Sequence, residues 1–174
     1  DPIAPTYKAN LIAIDYTELI RALTKYENSG FEQIRHHKQM DVFADAISEN
    51  YAWAKEISSK LISSQEYNSE IWQYFFQGVI RSNYSAKELA DILFLSYKPL
   101  SAMNFQKDLG ELLWKTVRED GIAEYISEKQ LDLFEVCITV WNNRETEKPE
   151  VGRIIDLTLN TTIGLVLMSM MYII

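Results

Sequence analysis

Apolar residues recur along this chain every three or four positions, the interval that places them on one face of an α-helix. Tyr16, Leu19, Ile20 and Leu23 follow Asp15, which is placed to cap a helix, with Glu18 closing a capping box. Asn28-Ser29-Gly30 supplies the stop. Phe31, Ile34, Val42, Phe43, Ala46 and Ile47 predict a second helix, continuing or bending into a third with Tyr51, Ala54, Ile57 and Leu61 until Ser63-Ser64 breaks the pattern. Ser69 is expected to cap an aromatic helix bearing Ile71, Trp72, Phe75, Phe76 and Val79.

The clearest start is Ser85-Ala86-Lys87-Glu88, a capping box ahead of Leu89, Ile92, Leu93 and Tyr97, with Pro99 as the expected stop. Asn104 is then expected to cap a helix with Phe105, Leu109, Leu112, Leu113 and Val117, ending near Gly121. Ser127 with Gln130 opens another, whose apolar face is Leu131, Phe134, Ile138 and Trp141. Residues 142–148 read as a polar loop, and Pro149 as a first-turn proline ahead of Val151, Ile154, Ile155 and Leu159. At the other end, residues 1–14 hold Pro2 and Pro5 among scattered apolar groups and are expected to form an extended lead-in, leaving 15–174 as a single all-helical domain.

From Ser69 onward the helix starts fall about 16 to 23 residues apart, so a pair occupies about 35–45 residues, the period of helix-pair solenoids. Successive units do not align well with one another. The expected fold is therefore all-α: antiparallel helix hairpins stacked as a degenerate HEAT, armadillo or TPR-like array, or an irregular bundle.

The tail changes this picture most. Residues 154–174 carry one charge, Asp156, and end on a strongly apolar stretch from Ile163 to Ile174. That run is about twelve residues, short of the roughly 20 a membrane span needs, and no basic flank follows it. A buried helix is the expected outcome and a membrane anchor is disfavoured. With Asp1-Pro2 rather than Met at the start, an array ending on its most apolar turn is also expected of a piece of a longer protein.

Charge and composition narrow the function. The net charge of -8 opposes nucleic-acid binding, which needs clustered Lys and Arg to neutralise phosphates. A single cysteine, Cys137, excludes an internal disulfide and a cysteine-based zinc site, and fits a reducing cytoplasm. It lies inside an amphipathic helix and is expected in the core.

No pattern of residues carries chemistry. The two histidines, His36 and His37, are neighbours and point about 100° apart on a helix, so they cannot share a metal from one face. No glycine-rich phosphate cradle and no zinc-protease motif occur. The sequence therefore assigns no catalytic, cofactor or metal residue. It leaves surplus aromatics and acids: Tyr74 beside the Trp72-Phe75-Phe76 cluster, Trp141 at the edge of the polar loop, and the acids Asp132 and Glu135 are the candidate interaction surface.

Ile71-Trp72-Gln73-Tyr74-Phe75-Phe76-Gln77-Gly78, the Ala86–Leu95 helix, Leu109-Gly110-Glu111-Leu112-Leu113-Trp114, Trp141 and the block from Leu157 to Gly164 follow in an order that resembles the helical C-terminal region of some bacterial antiphage defence proteins. Those proteins carry a sirtuin-like NAD-cleaving or a nucleoside-triphosphatase part at the N-terminus. In the family the last block usually reads Leu-Asn-His-Pro-x-Gly, where this chain has Thr161 and Thr162 in place of His and Pro. The resemblance implies a sensor or assembly arm that contacts another protein or a sister subunit, with any active site on sequence outside this chain. Two other readings stay open: a small all-helical enzyme with an acidic site between helices, and a helical protein tethered by its apolar tail.

Overall fold

In the computed structural model, residues 3–24, 30–143 and 162–174 are described, and among them there are nine helices and no strand. The chain separates into two compact units, Asp1–Asn83 and Tyr84–Ile174, where a single domain was expected. A solenoid pattern does not mark such a division, because each helix pair resembles its neighbours in spacing.

The first unit is built on α3 (Gly30–Glu49). Against it pack α1 (Ile3–Ala13), α2 (Tyr16–Thr24), α4 (Tyr51–Ser63) and α5 (Ser69–Arg81). The expected extended lead-in is thus a helix. Pro5 falls in its first turn, where the backbone N–H groups have no partner within the helix, so the proline removes no bond. The Asp15 carboxylate accepts from the backbone N–H of Glu18 at 3.0 Å, as the capping pattern requires. Asn50 separates α3 from α4 and caps the latter, accepting from the N–H of Trp53. At the Ser63-Ser64 break, Gln65 turns left-handed (φ 55°) and the N–H of Glu66 reaches back to the Leu61 carbonyl, a Schellman closure made without glycine. The cap of α5 is Asn68, one residue before the expected Ser69: its side chain accepts from both Glu70 and Ile71.

The core of this unit is aromatic. Trp72 meets Phe75 edge-on at 5.2 Å, Phe43 meets Trp53 at 5.9 Å, and the indole of Trp72 donates to the Glu66 carbonyl at 2.8 Å. Gly78 lets α5 approach α3 closely, since a Cβ there would lie 2.5 Å from the Ala44 carbonyl oxygen. The expected stop at Asn28-Ser29 lies outside the described residues.

The second unit packs α6 (Ala86–Ser101), α7 (Gln106–Arg118), α8 (Ile122–Asn143) and α9 (Thr162–Ile173) around one core. The Ser85–Glu88 capping box is present in full. Helix α6 runs through Pro99 to Ser101 rather than stopping there, because a proline in the last turn forfeits only one backbone bond. Asn104 does not cap α7. It takes a left-handed φ of 64°, and Phe105 occupies the cap position with no side-chain bond. The expected helix start at Ser127 is instead a kink within α8, at Lys129 (φ -121°, ψ 15°). The polar loop and Pro149 lie outside the described residues.

Candidate interaction surface

Helix α8 is apolar on two sides. Leu133, Val136, Cys137 and Val140 are fully buried and form its core face. The periodic set read from the sequence as the buried face points elsewhere: Leu131 is 83% exposed and Ile138 52%, flanked by half-buried Phe134 and Trp141. Both sets repeat at helical spacing, and only packing decides between them.

Two contacts orient α8. On one flank Glu135 accepts from the Tyr97 hydroxyl at 3.0 Å and pairs with Lys98 at 3.0 Å, both on α6. On the other flank the side-chain amide of Gln130 donates to the Ile173 carbonyl of α9 at 2.7 Å. At about 100° per residue, half-buried Phe134 and Trp141 share the Gln130 side, while exposed Leu131 and Ile138 lie between Gln130 and Glu135.

Helix α9 also leaves apolar residues outward. It turns Leu165, Val166, Ser169 and Ile173 inward, and leaves Leu167, Met171 (77% exposed) and Ile174 (91% exposed) outward. No residue of Thr162–Ile173 is charged. Tyr172 is held to α7, its ring edge-on to Trp114 at 5.2 Å, and the Arg118 guanidinium lies over the same Trp114 ring at 4.9 Å from its centroid. Leu131 and Ile138 on α8 and Leu167 and Met171 on α9 are thus large apolar side chains left exposed on two helices that pack against each other.

The residues singled out from the sequence fall in different places. Trp141 is half-buried on α8. Asp132 pairs with Lys129 at 3.2 Å, and Glu135 is held by α6. The Lys98 and Tyr97 bonds keep the Glu135 carboxyl below its ordinary range, and Lys98 is raised in turn by Glu135 first and by Tyr97. Both acids are therefore engaged within the unit. Tyr74 belongs to the first unit, half-buried on α5, with its hydroxyl 3.4 Å from Nδ1 of His37. Burial pushes its phenol up, with Asp41 and Glu70 adding to the effect. Nearby, His36 is buried with Nε2 3.1 Å from a Glu70 carboxylate oxygen.

Little here is arranged for chemistry. Burial pushes the Cys137 thiol up to about 12, far from a nucleophile's range. An open cleft of about 310 Å3 is lined by Ser85, Lys87, Asp120, Glu124 and Glu128, but its helix N-terminus is already closed by the capping box. Among the described residues no group of three or more His, Cys, Asp or Glu is placed to hold a metal ion, and no helix is long and apolar enough to cross a membrane.

The exposed set Leu131, Ile138, Leu167, Met171 and Ile174 was not singled out from the sequence. Its signal is an excess: α8 has more apolar positions than one buried face uses, and α9 is apolar on every side. Comparison with protein-family models, with characterised proteins and with solved structures finds no match to this chain.

Proposed function

We propose that this chain is a non-catalytic helical module for protein–protein interaction, and that it engages its partner through the outward face of α8 and α9. The observation that carries this is the outward apolar residues of two neighbouring helices, Leu131 and Ile138 on α8, beside exposed Asp132 and Glu135, and Leu167 and Met171 on the uncharged α9. An apolar centre with a polar rim is the anatomy of protein interfaces. Half-buried Trp141 on α8 adds a residue type that concentrates binding energy. In a parent protein of the kind the resemblance implies, an antiphage defence protein working in the bacterial cytoplasm, the module is the sensor or assembly arm. The residues carrying that resemblance, such as Trp72, Phe75 and Phe76, are core residues here, so it bears on the fold and transfers no active-site residue.

Affinity purification of the tagged chain from its source cells tests the proposal. Leu131→Glu with Met171→Glu is expected to reduce the recovered partner roughly tenfold or more, the effect of losing central interface residues. Both positions are exposed, so helicity and thermal midpoint should hold. Equal recovery from the variant and the parent chain would refute the role of this face.

A further inference from the structure

We draw no further inference here: the strongest candidate, the outward apolar side chains of α8 and α9, belongs to the surface already described, and nothing in the structure shows what covers it.

Discussion

Gln130 and Ile173 are joined by a single hydrogen bond across 43 positions of sequence, the Gln130 amide donating to the Ile173 carbonyl at 2.7 Å. The last carbonyls of a helix have no partner within it. This bond satisfies one of them and ties the end of α9 to α8. Gln130→Ala should cost about 1 kcal/mol. Its local mark should be faster amide exchange over 170–174, with exchange in α6 unchanged. Uniform exchange across the second unit would mean that the bond does not anchor α9.

Gly78 marks where α5 and α3 come closest. A methyl group there would lie 2.5 Å from the Ala44 carbonyl oxygen and 2.8 Å from the Ile47 side chain. Backbone cannot yield as a flexible side chain does, so the helices must separate. Gly78→Ala should destabilise the chain by about 1–3 kcal/mol despite alanine's higher helix propensity. Urea unfolding measures it, and a stabilised variant would show the packing to be looser than the geometry requires.

The helices with explicit end signals were legible in the sequence. Asp15 with Glu18, Ser85 with Glu88 and the Ser63-Ser64 break all act where local chemistry puts them, because a capping side chain needs only its own helix. Where two chemistries compete, the sequence was ambiguous. Asn68 caps α5 in place of Ser69, and Pro99 stays inside α6 because only one bond is lost. The interaction face was hidden for a deeper reason. Leu131, Phe134, Ile138 and Trp141 have the spacing of a buried stripe, but Leu133, Val136, Cys137 and Val140 hold the core position. A helix with two apolar faces does not state which one its neighbours cover. The division at Asn83 was likewise unreadable, because contacts between helices set it and spacing does not.

Asp108 gives the fold a defined pH response. Burial, with Glu111 nearby, raises its carboxyl from 3.8 to about 6. The folded state therefore holds this proton more tightly than the unfolded chain. The stability it contributes is fully present below about 3.8 and is lost as pH rises through about 6. A shift of that size is worth about 3 kcal/mol at full burial; with solvent still reaching the group, about 1 kcal/mol is expected. Asp108→Asn should stabilise the chain at pH 7 and flatten its stability between pH 4 and 7. An unchanged slope would show that Asp108 is solvated in the folded state.

The Ser85 hydroxyl and the Glu88 carboxylate close the start of α6 reciprocally. Ser85→Ala should lower stability by about 1 kcal/mol, and Glu88→Gln, which keeps a hydrogen-bond acceptor, by less. Thermal unfolding of the two variants checks the order, and a larger loss from Glu88→Gln would contradict it.

Oxidative footprinting of the methionines tests the central claim most directly. Met171 is exposed on the α9 face, Met103 is exposed in the turn after α6, and Met40 is buried. When the cellular partner is bound and the face is covered, Met171 should become several-fold less reactive while Met103 keeps its rate and Met40 stays unreactive throughout. If Met171 remains as reactive as Met103 in the presence of the cellular partner, the outward face of α9 is open to water and the account is wrong.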